Sequence, residues 1–239
     1  MAKGVAIGLT NLYYALLDEE KDAPLGADVA GTVADLYADP IRLTGAITAN
    51  FSPSASNDTL FADDGPYEVA STLGAMTLEL NVADLPPEHR AVLLGEDTAG
   101  GITVSSSDNT PPWVACGMSV KKSNGASRLL WYLKGKFTAP DENNQTKADS
   151  INWNTPTISG NFSKRICDNN WRYAVDTDDI LAKAKADSKT STIKEDGQFK
   201  AWFSKDVICC TNTTDTNGDV TKKAVDNLLE LLVPTTPGP

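Results

Sequence analysis

The chain has 239 residues and a formal net charge of −11, a length that suits one large domain or a domain with an appendage at ~100–200 residues each. A chain of this size buries ~70% of its unfolded surface, so it needs no disulfide or metal staple. The acidic balance excludes a nucleic-acid grip, which needs Lys and Arg facing phosphates, although it leaves DNA open as a cargo that passes without sticking.

Only Lys3 precedes an N-terminal run that Thr10 and Asn11 interrupt, and no small-residue cleavage site follows. This reads against a signal peptide. No run approaches the ~18 apolar residues of a membrane span. Leu12–Leu17 is apolar on both phases, as in a strand covered on both faces. Ile41, Leu43, Ile47 and Phe51 then share one phase of a period of two, and Met76, Leu78, Leu80 and Val82 share another. Both runs predict half-buried antiparallel strands. Between them lies a polar excursion, Ser52 to Pro66, too long for a tight hairpin and still carrying Leu60 and Phe61. A short helix follows, started by Asp84 and the first-turn prolines Pro86 and Pro87 and stopped by Gly95.

Trp113–Lys121 alternates with Val114, Cys116, Met118 and Val120 inward, and Leu129, Trp131, Leu133 and Phe137 alternate likewise. Asn124-Gly125 between them is a strong hairpin signal. Ile151, Trp153 and Thr155 occupy one phase and Ile158, Gly160 and Phe162 the other. Pro156 stands at the flip and predicts a bulge or an edge. Asp168-Asn169-Asn170 turns the chain into Trp171, Tyr173 and Val175.

Helical signals concentrate near the end. Asp178–Ser188 has helical composition but a poor apolar face, and Phe199, Trp202 and Phe203 make one amphipathic turn. Thr211–Asp219 reads as a polar linker. Val225, Leu228 and Leu232 then form a helical stripe over Val220–Leu232, capped by Asp219 and ended by Pro234. These three residues are candidates for docking the helix on the body or on a neighbour. The expected organisation is residues 1–210 as a β domain and 211–239 as linker plus C-terminal helix.

Chemistry-bearing constellations are scarce. His89 is the single histidine, which removes histidine triads and two-histidine metal sites, and it reads as a surface residue. Asp63-Asp64 reads as a turn, because neighbours on an extended chain point to opposite sides and share no substrate. Cys116 reads as a buried small hydrophobe and Cys209-Cys210 as reduced thiols. Thr213–Gly218 resembles the front of a calcium loop, but Thr213 and Ala224 stand where carboxylates are needed. Trp131, Trp153 and Trp171 share phases with apolar neighbours and read as core instead of a sugar platform. No enzyme, cofactor or metal is expected.

Several stretches carry a resemblance: AITANFSPSASNDTLFADDGPYE (46–68), LGAMTLELNVADLP (73–86), VLLG (92–95), KSNGASRLLWYLKGKF (122–137) and INWNTPTISGNFSKR (151–165). From about Leu12 to Val175 the chain resembles the major tail proteins of long-tailed bacteriophages, the tail-tube subunits also found in prophages of Gram-positive bacteria. The resemblance implies a mainly β (α+β) fold, an antiparallel β-sandwich or barrel with a short flanking helix. It also implies stacked, hexameric rings that form a channel for DNA ejection in the virion, made in the host bacterial cytoplasm. Its implied partners are further copies of the chain, then tape-measure, tail-terminator and baseplate proteins, with DNA only as passing cargo and no membrane. The candidate self-assembly residues are Ser54, Asn57, Thr59, Leu60, Phe61, Asp63, Asp64 and Tyr67 on the excursion. The alternative reading is a monomeric β-sandwich that binds carbohydrate or cell wall as a phage accessory protein.

Overall fold

A computed structural model describes residues 4–24, 31–32, 35–140, 153–179, 202–209, 211–214 and 220–221. The strands are β1 (Ala6–Leu16), β2 (Gly31–Thr32), β3 (Ile41–Leu43), β4 (Ala46–Ala62), β5 (Gly65–Val82), β6 (Asp97–Ala99) and β7 (Ile102–Val104). They continue with β8 (Val114–Lys122), β9 (Ser127–Phe137), β10 (Thr157–Ser163), β11 (Arg172–Asp176), β12 (Thr211–Thr214) and β13 (Val220–Thr221). Among the described residues the helices α1 (Pro87–Leu94) and α2 (Lys205–Ile208) accompany them, and 177–179 begin a further helical turn. The fold is mainly antiparallel β.

The main sheet runs β3-β1-β8-β9-β10-β5-β4. β9 serves two partners along one edge: Lys134–Phe137 pairs with β10 and Arg128–Tyr132 with β11. The sheet curls until β1 approaches β4. Strands buried on both faces produce two cores. On one side, Leu12, Tyr14, Val114, Cys116 and Met118 meet Met76, Leu78, Leu80, Val82, Ile158 and Phe162, with Leu93 and Leu94 of α1. On the other, Ala15, Ala115, Leu129, Trp131 and Leu133 are covered by Leu36, Tyr37 and the segment holding Trp202, Phe203, Val207 and Ile208. The Trp131 indole N–H donates to the Trp202 carbonyl at 2.9 Å and pins that cover in place.

Several expectations hold. Asn124-Gly125 forms the β8–β9 turn with Gly125 at φ 85. Asn169, at φ 59, turns the chain into β11.

Others are corrected by local irregularities. The run from Ile41 to Phe51 is broken at Thr44-Gly45, where Gly45 has φ 86. A register shift between Ala46 and Thr48 then leaves Ile47 exposed, while Ala46, Ala49 and Phe51 pack inward. In β9 an extra residue faces β8 between Tyr132 and Gly135. Phe137 therefore lies in the core opposite to that of Leu129, Trp131 and Leu133. The N-cap of α1 is Pro86 instead of Asp84, with no side-chain cap, although Gly95 ends the helix in the left-handed region at φ 69 as expected.

β10 is an interior strand flanked by β9 and β5, and Pro156 stands just before it, not at an edge. Trp153 is not core: it is 83% exposed, ahead of the strand. Thr211–Thr214, read as linker, is β12, paired with β2 and β13. Val220–Thr221, read as the first residues of the C-terminal helix, is β13. Val225, Leu228 and Leu232 lie outside the described residues.

Candidate functional site

The polar excursion is a hairpin arm. The expectation of a segment too long for a tight hairpin is overturned because the polar residues are themselves strand, and β4 and β5 remain paired up to a two-residue turn. That turn is Asp63-Asp64, at φ 48 and 60. Positive φ at both central positions matches the twist of a right-handed hairpin, and Asp tolerates it better than most side chains. The two aspartates are a turn, as their spacing predicts.

The arm begins where the register shifts. Pro53 pairs with Met76 but Ala55 with Leu73, so Gly74 and Ala75 together oppose Ser54. Such a bulge bends a ladder and raises its twist. Beyond it every residue on both strands is exposed, apart from half-buried Gly65 in the turn. The outer ladder spans Ala55 to Ala62, roughly 25 Å at ~3.3 Å per residue. Side-chain pairs decorate it: Ser56 Oγ lies 2.8 Å from Thr72 Oγ1, and Ser71 donates to Asn57 Oδ1 at 2.7 Å.

All eight candidate assembly residues come together here. Ser54 sits at the basal bulge, Asn57, Thr59, Leu60 and Phe61 on the outgoing strand, and Asp63 and Asp64 in the turn. Tyr67 is the extra residue of a second register shift between Leu60 and Phe61. The alternation separates two faces. Asp58 and Leu60 share one with Ala70 and Glu68; Asn57 and Thr59 share the other with Ser71 and Val69. Glu68, Val69 and Leu73 lie beyond Pro66, the expected end of the excursion, and complete the arm. Their signal is their lack of alternation, since a strand wet on both faces has none.

An isolated two-stranded hairpin is marginal in water. This one also exposes Leu60 (59%), Phe61 (69%), Tyr67 (74%) and Val69 (60%). Exposed apolar side chains on a paired ladder are the kind of surface that partner chains cover in other proteins.

Buried charge elsewhere is structural. Arg165 is fully buried. It bonds the Asp168 carboxylate, the Ile208 carbonyl and the Tyr173 hydroxyl, holding the segment of α2 against the sheet. Burial opposes ionisation of Asp168, but the Arg165 guanidinium outweighs it and holds the carboxyl below its ordinary range. Asp22 is likewise buried and likewise shifted down: burial is outweighed by Lys134 at 2.6 Å and by the amides of Cys167 and Ile166. Nothing in the local sequence marks these charges as interior.

His89 is half-buried instead of free on the surface, and its Nδ1 lies 2.8 Å from the Tyr14 hydroxyl. Cys116 is buried, which pushes its thiol up to about 12 and leaves it inert. Cys209 is buried and Cys210 lies outside the described residues. Of the tryptophans, Trp131 and Trp202 are core, Trp113 and Trp171 are half-buried, and Trp153 stands out alone. Among the described residues no group of three or more His, Cys, Asp or Glu could hold a metal ion, and no helix is long and apolar enough to cross a membrane.

No protein-family model matches the chain, and no curated protein matches it in sequence. Among solved structures, it is similar to a chain of the cryo-EM structure of the anti-feeding prophage (AFP) baseplate, 6-fold symmetrised. The identity is 10% and the TM-score 0.37, over 73% of this chain and 97% of that one. That likeness is too loose to define a common fold.

Proposed function

We propose that the protein is a structural virion subunit, the major tail-tube protein of a long-tailed phage or prophage. It polymerises into stacked, hexameric rings around a channel for DNA, and it carries no catalytic activity. The observation that carries this reading is the arm: a hairpin roughly 25 Å long, with no core of its own and five large apolar side chains in water, Leu60, Phe61, Tyr67, Val69 and Leu73. The sequence supports it, because the words that resemble tail-tube proteins fall on β4, β5, β9 and β10 of the sheet and arm, with one on α1. Tape-measure, tail-terminator and baseplate proteins would be its partners at the tube ends.

The test is negative-stain microscopy of the purified chain beside a variant in which residues 55–73 are replaced by Asn-Gly. The full chain is expected to form rings or rods over time. The variant is expected to melt as one cooperative unit and to stay monomeric. Rods from the shortened chain would remove the arm from assembly. A full chain that stays monomeric at high concentration would refute the tube.

A further inference from the structure

β4 carries the arm at one end and an open groove of about 800 Å³ at the other. The groove lies between the first half of β1 and the corner from Arg42 to Ala46, and reaches the β8–β9 hairpin at Lys121 and Ser123. β1 pairs with β3 only over Leu12–Tyr14. Among the described residues, the outer backbone edge of 6–11 is therefore unpaired. A bulge at Asn11, φ 42, interrupts the β1–β8 register between Thr10 and Leu12. The Asn11 carboxamide oxygen accepts from the Arg42 guanidinium at 2.9 Å and positions that cation at the groove. Ile7, 69% exposed, supplies an apolar wall.

The charges of groove and arm are complementary and unspent. Arg42 and Lys121 are exposed and meet no carboxylate among the described residues. Asp58, Asp63, Asp64 and Glu68 on the arm are exposed and meet no cation. No Lys or Arg occurs anywhere between Arg42 and Arg90.

We infer that this groove receives the arm of a second copy of the same chain, with the Asp58–Leu60–Glu68 face against Arg42, Lys121 and Ile7. The inference rests on the assembly reading above and names the surface on which the arm lands. A chain cannot fill its own groove. β4 is 17 residues long, so at ~3.3 Å per residue its contour from the groove corner to the arm tip is roughly 50 Å. Donor and acceptor at opposite ends make a heterologous contact, which repeats from copy to copy into rings or filaments instead of closing as a two-fold dimer. The opposite charges steer the encounter and fix its register.

Charge reversal in the full chain tests this. Arg42→Glu with Lys121→Glu, and separately Asp58→Lys with Glu68→Lys, should each raise the concentration needed for assembly at least ten-fold. All four substitutions in one chain should restore it. Melting curves of the monomers show whether each variant is folded. A second variant, Glu68→Cys with Lys121→Cys, reads the contact directly and should yield disulfide-linked ladders of chains in the assembled state. Reversed chains that assemble like the wild type, or cysteines that never link, overturn the groove while the tube stands. Wild-type chains that never associate overturn both.

Discussion

Gly117 lies directly across the β8–β9 ladder from Trp131, and the indole fills the space that a side chain would need. A Cβ at Gly117 would come within 2.8 Å of the Trp131 ring. The device recurs on the other face. Gly135 faces Phe162, and Gly160 faces Phe137, with a Cβ meeting ring atoms at 2.6 and 2.8 Å. Glycine in a strand interior weakens it, and an aromatic laid across the gap restores the lost packing.

Gly117→Ala is therefore expected to destabilise the fold by about 1–3 kcal/mol, the range for inserting a methyl group into a packed core. The midpoint of urea unfolding should fall with the slope unchanged. A midpoint equal to that of the wild type would mean that the indole can move aside at no cost.

Arg165→Ala removes the cation that faces the buried Asp168 carboxylate and the donor to the Ile208 carbonyl. Removing one member of a buried pair costs about 3–5 kcal/mol, mostly because the other stays buried and alone. The double change Arg165→Met with Asp168→Ala should recover part of the loss, as read by thermal melting. A single variant as stable as the wild type would contradict the burial of this pair.

Acid sensitivity should centre on Asp176. Hydrogen bonding by Arg128, followed by Lys122 at 2.7 Å, lowers its carboxyl to about 2 in the folded chain. An unfolded Asp titrates near ~3.9. Its contribution is thus complete above about pH 4 and disappears as pH falls through about 2. Asp176→Asn should flatten the stability profile across that window and lower stability at neutral pH. An unchanged acid limb would assign the acid loss to other carboxylates.

The arm turn demands positive φ at both of its positions. Asp64→Gly should be neutral or slightly stabilising, since Gly adopts the observed φ of 60 without strain. Asp63→Pro should unzip the arm tip, because proline fixes φ near −65° where the turn has 48. Amide hydrogen exchange over 55–73 reads both, with a loss of protection expected only for the proline. Equal protection in the two would deny the turn its role in holding the ladder.

Features that depend on short-range order are legible in the chain. A period of two in Met76–Val82, apolar residues on both phases of Leu12–Leu17 and Asn124-Gly125 between two apolar runs were enough for strands, doubly covered strands and a turn. Gly95 and Asp63-Asp64 were legible because positive φ admits few residue types. Tertiary structure alone decided which face each residue met. One extra residue in β9 moved Phe137 to the opposite core, and the shift after Ala46 put Ile47 in water, since a single bulge inverts every later side chain. The arm was hidden for a related reason. Alternation records a boundary between core and solvent, and a ladder wet on both faces has no such boundary, so β4 and β5 beyond Ser54 looked like loop. The groove at Arg42 and Lys121 joins segments far apart in the chain, and only the pairing of β1 with β3 and β8 brings them together.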